Sequence, residues 1–175
     1  MKIAIIPFSE TKIAERVFFE ISDYLPFNCQ LSFLDPIPVP MESYNPQRRQ
    51  YNSSTLIELL KDIALRNRFS KAIGIANVDI YCKNSSFIFG HAELNGISAV
   101  VSIYRLNGDG RVFSRTLKEV LHELGHLFGL KHCINDCVMR FSETLDQLDS
   151  KNPNFCTDCL KKLQRLELGQ EPSKC

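Results

Sequence analysis

Residues 122–132 read HELGHLFGLKH, and the next residue is Cys133. No other stretch limits the fold of this chain so tightly. His122 and His126 stand four residues apart, so on a helix they fall ~40° apart on one face and both imidazoles reach a single ion. Glu123 lies ~100° round the helix from His122. From there its carboxylate reaches a water on that ion without being a ligand. Gly129 can adopt the left-handed conformation that ends a helix and turns the chain sharply. That turn lets His132 return to the same ion. Three neutral histidines leave zinc its charge and an open fourth position, the arrangement of a catalytic site. The chemistry expected is hydrolytic. The metal lowers the pKa of a bound water towards ~7, Glu123 takes its proton, and the ion stabilises the oxyanion of an attacked carbonyl.

The seven cysteines, at 29, 82, 133, 137, 156, 159 and 175, are an odd number and cannot all pair within the chain. The opening MKIAIIPFSE lacks the long apolar centre and small-residue cleavage site of a signal peptide. It reads as a first strand and predicts a cytoplasmic location, where cysteines bind metal before they form disulfides. Cys133 and Cys137 enclose three residues, Cys156 and Cys159 enclose two, and 18 residues separate the pairs. Two short pairs at that separation match a structural Cys₄ zinc site. Four thiolates saturate a tetrahedral ion, so this metal is assigned to structure. The expectation is two zinc ions per chain, one catalytic and one structural. Cys29 and Cys82 are expected as small core residues. Lys131, Arg140, Lys161 and Lys162 lie near the cysteines in sequence. They either offset the negative charge of that site or are plain surface residues.

Elsewhere the pattern alternates strands with helices. KIAIIPF, CQLSFLD and KAIGIANVDI read as strands. TKIAERVFFEISDYL carries Ile13, Val17, Phe18 and Ile21 at helical spacing, and SSTLIELLKDIALRNRF is a second amphipathic helix that Ser53 or Ser54 can cap, with Glu58 in its first turn. Residues 36–52 hold four prolines and predict a long irregular loop. FIFGHAEL and ISAVVSIYRL read as strands joined by Asn95–Gly96, a strong hairpin signal. Ser114 or Thr116 opens the helix that carries the histidines and ends at Gly129, and a short helix is expected near 157–168. The length of 175 residues suits one domain with its own core. The class is α/β (α+β), with a sheet of about five strands backed by helices.

A net charge of +1 argues against a nucleic-acid binder, including a zinc ribbon on nucleic acid. The apolar stretches are too short to span a membrane. The expected partner is a peptide or protein substrate, and the expected state is a monomer.

The eleven residues from His122 to His132 match the extended zinc motif of the metzincin metalloproteases, and Met139 fits the methionine turn of that clan. With HCINDCVM and FCTDC framing that methionine, and with RRQY at 48–51, FIFGHAEL and SIYRL, the chain resembles the archaemetzincin family over most of its length. The resemblance implies a compact metzincin-like zincin fold with a twisted, mostly parallel sheet and backing and active-site helices. It implies an upper subdomain, 1–129, and a small cysteine–zinc lower subdomain, 130–175. His122, His126 and His132 would hold catalytic zinc, with Glu123 as general base and Met139 beneath the site. Cys133, Cys137, Cys156 and Cys159 would hold the second ion. The pattern that this resemblance implies often has the first cysteine pair one residue further apart, a difference in loop length that leaves the assignment intact. Where some metzincins place a tyrosine two residues after the methionine, this chain has Phe141, without a hydroxyl.

The reading is a zinc metallopeptidase; its alternative is a zinc-stabilised peptide-binding module with little turnover. Glu123 favours catalysis, because a ligand scaffold needs no base there. FIFGHAEL is either a substrate-pairing rim bearing His91 or Glu93, or an ordinary solvated edge. Arg49, Gln50 and Tyr51 either approach the cleft or anchor their loop.

Overall fold

The computed structural model describes residues 1–167. Along the chain the elements are β1 (Lys2–Phe8), α1 (Lys12–Glu20), β2 (Gln30–Phe33), β3 (Tyr44–Asn45), β4 (Gln50–Asn52), α2 (Ser53–Arg66), β5 (Lys71–Ala76), β6 (Ile80–Tyr81), β7 (Gly90–Ala92), β8 (Ser98–Ser102), α3 (Val112–Leu127), α4 (Leu145–Ser150) and α5 (Thr157–Glu167). Every residue of β1 from Ile3 to Phe8 is buried. A strand buried on both faces belongs to a parallel sheet covered by helices on both sides. The main sheet has the order β2-β1-β5-β8-β7. Its first four strands are parallel, and β7 runs antiparallel to β8, pairing Gly90 with Val101 and Ala92 with Ala99. This is the mostly parallel five-stranded sheet expected.

Side chains alternate across it, as the strand period requires. Ile3, Ile5, Ile73, Ile75, Ala99 and Val101 pack with α1 and α3. Ala4, Ile6, Phe8, Ala72, Ala76 and Val100 pack with Leu56, Ile57, Leu60 and Ala64 of α2. A Cβ at Gly74 would stand 2.6 Å from Leu60 Cδ1, so α2 lies closer to β5 than any side chain there permits. On the other face α3 buries Leu117, Val120, Leu121, Leu124 and Leu127. At ~1.5–3 kcal/mol gross per side chain, this burial fixes α3 against the sheet before its histidines bind anything.

Several boundaries differ from the sequence reading. The 36–52 loop contains two short strands: β3 pairs antiparallel with β4, and β4 pairs parallel with β6. KAIGIANVDI therefore splits, β5 ending at Ala76 and Ile80–Tyr81 joining this second sheet. Asn52, not Ser53 or Ser54, caps α2, its Oδ1 accepting from Ser54 N–H at 2.9 Å. The Ser53 hydroxyl instead lies 3.0 Å from the Tyr81 carbonyl and 2.8 Å from His91 Nδ1. Glu58 lies beyond the first turn. The helix at α1 stops at Glu20 and tightens into a 3₁₀ turn over Ile21–Tyr24. FIFGHAEL shrinks to Gly90–Ala92, and the connecting turn takes up Glu93–Ile97, with Asn95 at φ 57. The Asn95 N–H donates to the His126 carbonyl at 2.8 Å, which draws this turn to the end of α3. The sequence reading did not anticipate α4, which a reciprocal capping box between Thr144 and Gln147 starts. Of the helix expected near 157–168, Leu168 lies outside the described residues, as does Cys175. Among the described residues no helix is long and apolar enough to cross a membrane.

The start of α3 also departs from expectation. It begins at Val112, ahead of Ser114 and Thr116, and no side chain caps it. Arg115, 2% exposed, anchors it instead. Its guanidinium donates to both carboxylate oxygens of Asp149 at 2.8 and 2.7 Å, to both of Asp109 at 2.9 and 2.8 Å, and to the Leu106 carbonyl at 2.9 Å. Arg111, with Arg115 behind it, holds the Asp109 carboxyl down to about 2. The Arg115 hydrogen bonds lower that of Asp149. A carboxyl with a depressed folded-state pKa contributes stability that is full above its unfolded value and is lost as pH falls through the folded value. Arg115→Met is therefore expected to lower the unfolding midpoint at pH 7. The gap to wild type should narrow as pH falls from 5 to 2, measured by urea titration at each pH.

Candidate active site

The three histidines of the sequence motif come together. His122 and His126 project from the last two turns of α3, and Gly129, at φ +79°, reverses the chain behind them. The Gly129 N–H donates to the His126 carbonyl and that of Leu130 to the Gly125 carbonyl, closing the helix end. The returning segment lays the His132 ring 4.9 Å from His126 and 5.3 Å from His122, centroid to centroid. One ring nitrogen from each histidine lies within 4.8 Å of the other two.

The hydrogen bonds fix which nitrogen is offered. His122 Nδ1 lies 2.9 Å from the Val138 carbonyl and His126 Nδ1 lies 2.8 Å from the Leu130 carbonyl. A carbonyl only accepts, so both Nδ1 atoms carry the proton and both Nε2 atoms carry a lone pair. These two Nε2 atoms stand 3.0 Å apart. Lone pairs do not face each other at that distance without a positive charge between them, and two nitrogens on one tetrahedral zinc stand about 3.3 Å apart. Burial, first of all, lowers the pKa of each of the three imidazoles, most strongly at His122, and the Lys151 ammonium adds to this. The donor set is thus neutral and fits zinc.

Glu123 is 4% exposed. Burial pushes its carboxyl well above the usual range, the Glu119 charge adds to this, and Lys151 opposes it. A Cβ at Gly90 would stand 2.4 Å from Glu123 Oε1, so the edge strand β7 leaves room for the carboxylate only because residue 90 has no side chain. Gly125 makes a similar allowance beneath. A Cβ there would stand 2.2 Å from Met139 Sδ, so the fully buried Met139 lies directly on the helix backbone between the two histidines.

The four cysteines predicted as a set also meet, their sulfurs within 4.8 Å of one another. All six cysteines among the described residues are free thiols. Cys133 Sγ and Cys156 Sγ are 3.7 Å apart, and two sulfurs on one tetrahedral zinc stand about 3.8 Å apart. Burial, then the neighbouring Cys137, raises the Cys159 thiol. At Cys156 burial also acts upward, but hydrogen bonds from the Cys159 N–H, Asn135 and the other cysteines outweigh it and bring the thiol down to about 6. Four clustered thiols resist joint ionisation unless a cation sits among them, so this donor set also suits a metal. Lys131, Lys161 and Lys162 are exposed, and Arg140 turns to the Ser150 hydroxyl at 3.0 Å, so surface placement accounts for all four cations.

A short turn joins the two clusters. Arg140 N–H donates to the Cys137 carbonyl at 3.0 Å. Cys137 Sγ accepts from the N–H groups of Met139 and Cys156, at 3.4 and 3.3 Å. Cys133 N–H donates to the Met139 carbonyl at 3.0 Å, immediately after His132. The Val138 carbonyl of the same turn orients His122.

A cleft of ≈ 690 Å³ opens over the histidines and Glu123. Phe141 lies on its wall, its ring 4.8 Å from that of His132. The 82–89 segment also lines it, and here the RRQY stretch acts as an anchor. Arg48 donates to the Ser85 and Ser86 carbonyls at 2.7 and 3.0 Å, and Gln50 donates to Ser86 at 2.8 Å and to Asp79 at 3.1 Å. Cys82 lines this cleft, half-buried beside Ser85, and is not a core residue. Cys29 does pack against the core. His91 and Glu93 turn towards α2, to Ser53 and, at 3.6 Å, to Lys61. The sequence reading missed Gly90, Glu119 and Lys151, all on the cleft. A buried Lys–Glu pair 32 residues apart leaves no spacing signal.

The model of peptidase family M54 matches residues 32–165. An archaemetzincin of Archaeoglobus fulgidus is 39% identical over 168 residues, covering 94% of this chain and 99% of the relative. One from Thermococcus kodakarensis is 42% identical over 71% of this chain and 72% of its own length. Crystal structures of the archaemetzincins from Methanopyrus kandleri and A. fulgidus superpose with TM-scores of 0.83 and 0.80, at 34% and 39% identity. They cover 94% and 93% of this chain, and 94% and 99% of their own. A zinc-dependent peptidase from Methanocorpusculum labreanum gives 0.79 at 29% identity, over 92% of this chain and 99% of its own.

The shared turn predicts coupling between the clusters. Cys137→Ser is expected to weaken zinc binding at the histidines ~10–100-fold although no histidine changes, measured by chelator competition. Gly125→Ala is expected to displace Met139 and lower the thermal midpoint, read by calorimetry.

Proposed function

As a member of peptidase family M54, the archaemetzincins, the chain is a zinc metallopeptidase, and we propose that His122, His126 and His132 hold its catalytic zinc while Glu123 is the general base of peptide-bond hydrolysis. The observation that carries this reading is the pair of lone-pair Nε2 atoms, 3.0 Å apart, each fixed by a carbonyl behind its ring. Zinc bound there supplies a Lewis acid for the scissile carbonyl and makes water a competent nucleophile near neutral pH.

Glu123 accepts the proton released as water attacks and delivers it to the leaving amine. Its burial, which raises its carboxyl well above the usual range, favours the uptake of that proton. Gly90 keeps the edge strand from displacing it. Phe141 supplies no hydroxyl, so oxyanion stabilisation does not come from a side chain at that position. We further assign Cys133, Cys137, Cys156 and Cys159 to a second, structural zinc, giving two ions per chain. Gly129 divides an upper subdomain, 1–129, from a lower one that begins at residue 130.

Elemental analysis of zinc-saturated protein is expected to give two zinc ions per chain, falling to one in His126→Ala. Glu123→Ala should keep both ions and lose at least ~100-fold in kcat on a mixed peptide library. Equal turnover by Glu123→Ala and wild type would sink the catalytic role of that carboxylate.

A further inference from the structure

One end of the cleft carries charges that the hydrolysis described above does not use. Glu119 lies one helical turn before Glu123 on α3. Its Oε1 accepts from the Lys151 ammonium at 2.9 Å, and the same ammonium reaches the Arg140 carbonyl at 3.5 Å. The pair thus ties α3 to the segment that carries Phe141 and Ser142. The Lys151 side chain is fully covered, whereas 7% of the Glu119 side chain is exposed, and both residues border the cleft. A ligand there meets the carboxylate, with the ammonium behind it.

A second observation lies two residues beyond Arg140, whose carbonyl the ammonium reaches. Ser142 borders the cleft, and its Oγ is the one buried side-chain polar atom among the described residues with no hydrogen-bond partner. A buried hydroxyl in that state is unfavourable until something bonds it. Glu143, next to it, is exposed at the mouth of the cleft. An acidic side chain entering here would meet Glu119 and Glu143, whereas a cationic one would find their carboxylates, with the ammonium of Lys151 withdrawn.

We infer that this end of the cleft is a specificity subsite for a cationic side chain, arginine or lysine, of the peptide substrate, with Glu119 as the specificity-determining residue and Ser142 as its hydrogen-bonding companion. The inference rests on the peptidase reading above and names a substrate class for it. The physical basis is a charge-assisted hydrogen bond to a carboxylate in a largely water-excluded site, together with repulsion of the opposite charge.

The test uses zinc-loaded protein carrying Glu123→Ala, which prevents cleavage during binding. The probes are alanine-based decapeptides in which each position in turn is arginine, citrulline, norleucine or glutamate. Citrulline keeps the shape of arginine and most of its donors but not its charge. At one position arginine is expected to bind at least ~10-fold more tightly than citrulline, and glutamate more weakly than both. Adding Glu119→Gln together with Lys151→Met, which removes both buried charges at once, should bring the arginine-to-citrulline ratio below ~2. Ser142→Ala, which leaves the ion pair intact, should reduce it ~3-fold and decides the matter if the double change does not fold. Equal binding of the arginine, citrulline and norleucine peptides at every position overturns the inference. So does an arginine preference that survives loss of Glu119. An arginine preference in binding, with no hydrolysis of any peptide by the wild type, upholds the subsite and sinks the peptidase role of Glu123 instead.

Discussion

The hydrogen bond from His122 Nδ1 to the Val138 carbonyl, 2.9 Å long, is the contact on which the rest of the site depends. It joins the two halves of the molecule that the chemistry needs together: a helix buried against the sheet and a turn whose shape the cysteines set. The turn in its turn receives N–H groups from both sides, Cys133 onto the Met139 carbonyl and Cys156 onto Cys137 Sγ. His132 and Cys133 are neighbours because the chain there is a junction. One side chain faces the histidine cluster and the next faces the cysteines, while the peptide between them is held to the turn. Metal at the cysteines would therefore stiffen the frame that aims two of the three histidines, an outer-shell role carried through backbone and not through side chains.

The active-site helix is unusual in what it buries. Arg115, Glu119, His122 and Glu123 are all at or below 6% exposed. Ionised groups are costly in such places unless paired. Arg115 is satisfied by Asp109, Asp149 and a carbonyl, and Glu119 by Lys151. Lys118 adds a third tie, donating to the Leu148 and Asp149 carbonyls at 3.0 and 2.8 Å. All three reach the same stretch of chain, 148–151. Polar contacts therefore add to the apolar packing of Val138, Met139, Phe155 and Leu163 that holds the lower part of the molecule against α3. Glu123 is the exception, with a carboxyl raised by burial and no basic side chain bonded to it. A group meant to gain and lose a proton is left without the partner that would fix its charge.

The site was legible in the sequence to a degree that the fold around it was not. All seven metal-binding candidates fall into two short runs, 122–137 and 156–159, and helical periodicity, a glycine turn and paired cysteines are local signals. The main sheet was legible for a related reason, since runs such as KIAIIPF are apolar throughout. What escaped was long-range. The strands β3, β4 and β6 are two or three residues each and are defined by pairing across the chain, Tyr51 with both Tyr44 and Ile80, Gln50 with Asn45 and Asn52 with Tyr81. Asn52 displaced two serines as helix cap because the Ser53 hydroxyl is engaged by Tyr81 and His91, which lie 28 and 38 residues away. The start of α3 is set by an arginine bonded to Asp149, 34 residues on, so no local capping rule could find it. Cys82, read as core, lines the cleft because KAIGIANVDI breaks before it and carries it out of the main sheet.

The packing of Met139 on Gly125 has a consequence for anyone transplanting this centre. The spacing rule H-E-x-x-H treats position 125 as a wildcard, but here no side chain fits it while the thioether lies where it does. A graft of the three histidines and the glutamate onto another helix would reproduce the ligands and lose their alignment. The smallest portable unit also contains the bare backbone at 125, the sulfur that rests on it, and the Val138 and Leu130 carbonyls that choose the tautomers.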